Sequence, residues 1–295
     1  MIHTALIDDI REFSMQRPKI AQHYPTAIPG LAVLCDPAPT AFEAMVYDPV
    51  VCLVLQGAKE TRVGQRCVKF GAGESLIVSH TLPVIAAITE ASPETPYVAM
   101  ILSVDLGIAR SLYHDVGDRG PVDDTTQSLV AFATAPELVD AFARLFRVSR
   151  DPVEAAALAP LIIREIHFRL LQADHGAMLR QMLRRDSAAS KIGRVIAALR
   201  ADLAATITVP EMAEMAAMSV SAFHDHFKSI TGTSPLQYRK DLRLTEARRL
   251  LLQTGGPVSS VAFDVGYESP TQFSREYARK FGASPRQDLA QISAA

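Results

Sequence analysis

Two clusters of polar side chains in the last third of the chain carry the groups best suited to recognition chemistry. The first holds Ser221, Ala222, His224, Asp225 and Lys228; the second holds Thr271, Gln272, Ser274, Arg275 and Arg279. Each lies opposite an apolar face at helical spacing. Phe223, Phe227 and Ile230 recur at i, i+4, i+7, and Phe273, Tyr277 and Phe281 at i, i+4, i+8. A helix anchored by aromatics behind and showing hydroxyl, amide and guanidinium groups in front suits the DNA major groove, where Arg forks onto guanine and Gln onto adenine. Catalytic signatures do not occur in the sequence: there is no phosphate-binding Gly-rich loop, GxSxG elbow, HExxH or CxxC pair. His224 and His226 stand two apart on a helix, point in different directions and are poorly placed to share a metal. No metal, no other cofactor and no enzymatic activity are expected.

The elements that must position these groups are written twice. Val209 to Pro235 repeats as Val258 to Pro285, with Ala213 matching Ala262 and Ala217 matching Gly266 at an offset of 49. Past one inserted residue the offset is 50, and Ser219 matches Ser269, Phe223 Phe273, Phe227 Tyr277, Gly232 Gly282, and Ser234-Pro235 Ser284-Pro285. Each copy reads as a short helix, a tight turn and a second helix. Thr208 stands three residues before Glu211 at capping-box spacing, with Pro210 in the first turn. Ser219 and Ser269 are candidate N-caps of the second helices, and Ser234 and Ser284 hold the same place before the helices that follow. Between the copies, Ser234-Pro235 opens a helix to about Thr254, closed by Gly255-Gly256-Pro257. At 1.5 Å per residue it spans about 30 Å, close to one turn of B-DNA.

These residues carry a resemblance. GYESPTQFSREYARKFGASP at 266–285 and, more loosely, AAMSVSAFHDHFKSITGTSPLQYRK at 216–240 resemble the AraC/XylS transcription regulators, whose DNA-binding domain joins two helix-turn-helix units through a long helix. The resemblance covers about the last third of the chain and implies binding to double-stranded promoter DNA, contact with RNA polymerase, a small-molecule effector and a homodimer. It also exposes a departure, since members of the family often carry Arg where Asp225 stands. A carboxylate on the groove face either accepts from a cytosine amino group or pairs with Lys228 at i+3; the pairing is the favoured expectation, and it leaves the first unit a weak reader.

Ahead of this region the chain changes character. Runs at 31–35, 41–47, 50–56, 60–70, 74–79, 83–89 and 97–104 alternate or are apolar throughout and are parted by Gly and Pro turn signals. They predict an antiparallel barrel or jelly roll. The stretch SHTLPVIAAITEASPETPYVAMILSVD, with CLVLQGAKE before it, resembles the cupin-type sensory domain of one AraC subgroup. His80 lacks the second histidine of a metal-binding cupin and is expected at a strand end or pocket wall. From Pro136 the period becomes 3.6, predicting helices around Leu138 to Phe146, Leu158 to Leu170 and Met178 to Leu183. They either close the barrel or, as the resemblance implies, dimerise it.

The expected division is residues 1–134 as a cupin-like sensory β-barrel, 135–187 as a helical dimerisation or connector segment, and 188–295 as the DNA-binding domain, with a polar linker at 184–188. The fold class is thus α+β multidomain. Charge follows it weakly: residues 188–295 hold 13 Lys+Arg against 10 Asp+Glu, and residues 1–187 hold 17 against 22. Non-specific DNA affinity should therefore be modest. Cys35, Cys52 and Cys67 lack metal-type spacing; Cys52 in an apolar strand and Cys67 beside Arg66 are candidate sensing thiols. The N-terminal stretch does not read as a signal peptide and no apolar run is long enough to span a membrane, so a cytoplasmic location is expected. Two rivals are a cupin-like metal-dependent enzyme fused to a DNA-binding domain, and a protein-interaction module that no longer touches DNA.

Overall fold

The computed structural model describes residues 2–18, 23–116 and 127–293. Residues 19–22 and 117–126 lie outside them. A first helix, α1 (Ile2–Met15), is followed by β1 (Tyr24–Pro25), β2 (Leu31–Asp36), β3 (Glu43–Tyr47), β4 (Val50–Gln56), β5 (Ala58–Val63), β6 (Arg66–Gly71), β7 (Glu74–Val78), β8 (Leu82–Glu90) and β9 (Tyr97–Ser103). Then come α2 (Leu106–Val116), β10 (Leu129–Ala133), α3 (Pro136–Val148), α4 (Pro152–Gln172) and α5 (Ala177–Leu183). The chain ends in α6 (Ala188–Ala201), α7 (Val209–Met215), α8 (Val220–Thr231), α9 (Pro235–Thr254), α10 (Val258–Asp264), α11 (Pro270–Phe281) and α12 (Pro285–Ser293).

The strands form two antiparallel sheets, β1-β2-β9-β4-β7-β10 and β3-β8-β5-β6. They face each other as an open cupin-like double layer and do not close into a barrel. Period-two geometry explains why β4 reads as an unbroken apolar run, because both of its faces are covered. Val51, Leu53 and Leu55 pack with α1 and α2 to α5 on the outer side, while Cys52 and Val54 face the second sheet. A bulge between Val54 and Gln56 breaks the register, and the Gln56 side chain donates to the Pro96 carbonyl at 2.7 Å. Among the elements that escape the sequence patterning are α2 and β10. The latter is a short edge strand that pairs with β7 from Leu129↔Val78 to Ala133↔Glu74.

The cores are partitioned unevenly. The apolar layer between the sheets continues without a break into Ile192, Val195 and Ile196 of α6, Met212 and Ala213 of α7, Phe223 and Phe227 of α8, and Tyr238 and Leu242 of α9. The first helix-turn-helix unit therefore shares a core with the β domain. The second has its own, built from Leu244, Ala247 and Leu251 of α9 with Val261, Ala262, Phe273 and Tyr277. The two units are joined through α9.

Candidate nucleic-acid interface

Local chemistry sets each unit. In the first, Thr208 and Glu211 close a reciprocal capping box at the start of α7. The turn then passes through Ala217 at φ +49°, the one non-glycine residue with positive φ among the described residues. Its counterpart in the second unit is Gly266 at φ +86°, where a Cβ would meet the Ala204 backbone and the Arg243 guanidinium at 2.7 Å. The left-handed position is thus carried at a small strain by alanine in one copy and without strain by glycine in the other. Ser219, Ser234, Ser269 and Ser284 each accept from the backbone N–H three residues on, at 3.3 to 3.4 Å. Four helix N-termini are capped in this way.

On α8, Ser221, Asp225 and Lys228 are exposed and Ala222 and His224 half-buried; on α11, Thr271, Gln272, Arg275 and Arg279 are exposed and Ser274 half-buried. Phe223, Phe227, Phe273 and Tyr277 are buried behind them. Among the described residues Arg275 and Arg279 have no hydrogen-bond or ion-pair partner. Several other arginines of the domain are committed to structure. Arg239 donates to the Ile207 carbonyl at 2.6 Å, and Arg243 to the Leu203 and Gly266 carbonyls at 2.7 and 2.9 Å. Arg248 forks onto Asp288. Two free guanidiniums on one helix face are therefore set apart from the structural ones. Gln272 lies 3.5 Å from Glu276, whose carboxylate is already shared by Lys240 and Tyr267.

One sequence expectation needs correction. No ion pair joins Asp225 and Lys228 among the described residues, and both side chains remain exposed. At i+3 on a solvated helix the gain from pairing is a few tenths of a kcal/mol and does not fix two mobile side chains. Sequence reasoning also passed over a cleft beside the first unit, where Arg185 and Lys191 join His226 and Ala222. The adjacent arginines of the 184–188 segment are the signal that could have found it.

Long-range contacts lock the first unit to the β domain without covering its polar face. The Tyr238 hydroxyl donates to the Thr81 carbonyl at 2.7 Å, and the Ser128 amide to the Ile230 carbonyl at 3.2 Å. Arg66 donates to the Ser229 carbonyl, and Arg200 pairs with Asp48 and reaches the Thr81 hydroxyl. His80, just past the end of β7, is buried in the joint. Its Nε2 lies 2.9 Å from the Ala189 carbonyl, and its Nδ1 faces the Ser79 and Ser128 hydroxyls at 2.7 and 3.0 Å. Burial pushes its pKa below the ordinary imidazole value, so the ring is neutral. A carbonyl only accepts, which assigns the proton to Nε2 and leaves Nδ1 as acceptor.

Burial raises the Cys52 pKa even with the Lys59 ammonium near, which disfavours a reactive thiolate. Cys67 is exposed on β6. No group of three or more His, Cys, Asp or Glu side chains among the described residues could hold a metal ion. No helix among them is long and apolar enough to cross a membrane.

Comparisons with known proteins follow the same partition. Residues 212–291 match the model described as a helix-turn-helix domain. The HTH-type transcriptional activator RhaS of Escherichia fergusonii is 33% identical over 98 residues, 33% of this chain and 35% of that protein. The HTH-type transcriptional regulator ArgR of Pseudomonas aeruginosa is 27% identical over 169 residues, 50% of this chain and 51% of that protein. The chain thus spans about a third of the one and half of the other. In overall fold it is similar to wild-type ToxT from Vibrio cholerae strain SCE256, whose crystal structure has an unsaturated fatty acid bound. The TM-score is 0.57 at 10% identity, over 92% of this chain and 96% of that one. Residues 27–178, more than half of the chain, match the model described as the AraC-type transcriptional regulator N-terminus, and the chain belongs to the AraC family of transcriptional regulators.

Proposed function

We propose that this protein is a sequence-specific regulator that places α8 and α11 in successive major grooves of a promoter site and reads bases mainly through α11. The observation carrying this reading is the pair of uncommitted guanidiniums, Arg275 and Arg279, opposite a buried aromatic stripe. The 20-residue α9 sets the spacing at about 30 Å. Thr271, Gln272, Ser274 and Arg275 would face base edges and Arg279 phosphate. Ser221, Ala222, His224, Asp225 and Lys228 would line the first groove. The helix N-termini capped by Ser219, Ser234, Ser269 and Ser284 would meet the backbone.

In this reading residues 1–134 sense, 135–187 connect and dimerise, and 188–295 bind DNA. Val153, Leu158, Leu161 and Phe168 stay exposed on α4, an apolar face that supports homodimerisation through this segment. RNA polymerase as partner, a small-molecule effector on the β domain and a cytoplasmic setting complete the proposal. Cys67 is the remaining candidate for a sensing thiol.

Arg275→Ala should weaken specific binding by ~1 to 3 kcal/mol through loss of a forked guanine contact, while Arg279→Ala should lower the salt slope by about 1. Selection from random DNA with each variant checks this; an unchanged sequence preference for Arg275→Ala would refute the assignment. Asp225 has no cation holding it, so Asp225→Asn should raise overall affinity by up to ~1 kcal/mol by relieving repulsion from phosphate. A loss confined to operators with a C·G pair under α8 would instead make Asp225 a base reader.

A further inference from the structure

The corner between α5 and α6 forms one wall of a cleft of about 740 Å³, and α8 with the turn before it forms the other. Arg185 and Lys191 line it from the corner, Met218, Ala222 and His226 from the first helix-turn-helix unit. Ala222 and His226 stand at i and i+4 and mark one flank of α8, between its buried Phe223 and Phe227 and its exposed front of Ser221 and Asp225. A helix lying in the major groove runs between two phosphodiester strands, one along each flank. Arg185 is exposed and Lys191 half-buried, and neither side chain has a hydrogen-bond or ion-pair partner among the described residues. Asp186 is the one carboxylate among the lining residues and stands against Arg184, Arg185 and Lys191, so the balance of the cleft is positive. The corner is also held in place. The Ser187 hydroxyl donates to the Gln181 carbonyl at 2.5 Å and accepts from the Ser190 amide at 2.9 Å, while His80 of the β domain holds the Ala189 carbonyl. Cations on a fixed backbone lose less freedom on meeting an anion than cations on a loose linker.

We infer that the α5–α6 corner is a third DNA contact, outside both helix-turn-helix units, where Arg185 and Lys191 each neutralise a backbone phosphate of the operator strand beside α8. His226 donates a ring N–H to the same strand. Contacts of this kind add affinity and fix register without reading bases. Charge explains why the first unit needs such help. Along α8 the cation Lys228 is matched by the carboxylate Asp225, so the helix offers phosphate no net attraction of its own. In α11, by contrast, Arg275, Arg279 and Lys280 outnumber Glu276. The corner supplies on the flank of α8 the positive charge that its front lacks, and the strand it meets continues the surface that α8 already presents to DNA. This inference rests on the regulator reading above and adds to it a contact made by the segment that joins the β domain to the helices.

Binding of the full-length protein to an operator selected from random DNA, measured by fluorescence anisotropy over a range of salt, tests the corner. Arg185→Gln and Lys191→Gln should each lower the salt slope by about 1, so that the deficit against wild type widens about eightfold for each tenfold dilution of salt. The preferred sequence should not change in either variant, and Lys191→Arg should restore the slope. Arg150→Gln removes an exposed charge without a partner at the corner between α3 and α4, and should leave the slope as it is. Ethylation interference then locates the contact. Ethylating a phosphate beside the half-site under α8 should block the wild type, and Lys191→Gln should be indifferent to that modification. Unchanged slopes in both Arg185→Gln and Lys191→Gln, an equal drop in Arg150→Gln, or an interference pattern that Lys191→Gln leaves untouched would overturn the inference. The two readings fail differently. A wild type that selects no DNA sequence strikes the regulator reading and this contact with it, while specific binding with unaltered slopes strikes the corner alone.

Discussion

Gly64→Ala should destabilise the joint between the β domain and the first helix-turn-helix unit by ~2 to 4 kcal/mol, from two causes that add. Gly64 opens the two-residue turn between β5 and β6 at φ +57°, where an L side chain is strained by ~1 to 3 kcal/mol. A Cβ there would also lie 2.2 Å from the carbonyl oxygen of Gly232, the residue that ends α8 in the left-handed conformation at φ +76°. Gly232 is crowded in return, its own Cβ position lying 2.7 Å from a Val63 methyl. Backbone thus faces backbone across the interface, and neither side can move aside as a flexible side chain would. Gly73→Ala separates the two causes, because Gly73 also has positive φ, at +85°, but its Cβ position is open. The Gly64 variant should lose markedly more thermal stability than the Gly73 variant. It should also lose hydrogen-exchange protection at the Ser128 amide, which bonds to the Ile230 carbonyl across the same joint. Equal losses in the two variants, with Ser128 still protected, would show that the close approach contributes nothing.

That joint is also where the sequence stops being informative. The helix-turn-helix pair is legible because its signals are local and duplicated: the aromatics of α8 and α11, the capping serines, Pro210 and Pro270 at helix starts, and the left-handed glycines at Gly232 and Gly282 all lie within a turn or two of what they specify. The alternation in β2 to β9 likewise announces a β domain. Contacts between distant segments leave no such trace. Nothing around His80 says that its ring meets the first turn of α6, 109 residues on, and nothing around Tyr238 points to the Thr81 carbonyl. The open double layer in place of a closed barrel, and the edge strand β10, depend on pairing partners that periodicity does not encode. The polar faces of α8 and α11 are therefore readable from residue order, while the shared core that joins the first unit to the β domain is not.

The second unit, with its own core, should unfold apart from the rest when the buried ionic node at Asp288 is broken. Asp288 of α12 accepts from Arg248 of α9 through Nε at 2.8 Å and Nη2 at 3.1 Å, and from the Tyr277 hydroxyl of α11 at 2.6 Å. The carboxylate side chain is 9% exposed and the guanidinium 18%, so both partners are largely removed from solvent. Asp288→Ala leaves a guanidinium and a phenol without their acceptor and should cost ~2 to 4 kcal/mol. Because Leu244, Val261, Phe273 and Tyr277 form a cluster separate from the β-domain core, the loss should appear as a lower melting step for α10 to α12 alone. Operator contacts made by α11 should weaken with it, and those of α8 should persist. The pH dependence has a definite sign. Burial raises the Asp288 pKa, but the bonds from Arg248 and Tyr277 outweigh it and hold the group below its ordinary value of 3.8. A folded-state pKa below the unfolded one contributes stability that is complete above about pH 4 and is lost as pH falls through the folded value. The stability gap between wild type and Asp288→Asn should therefore be widest at neutral pH and narrow on acidification below pH 4. A gap that is absent at pH 7, or that widens on acidification, would show that this node does not hold the second unit together.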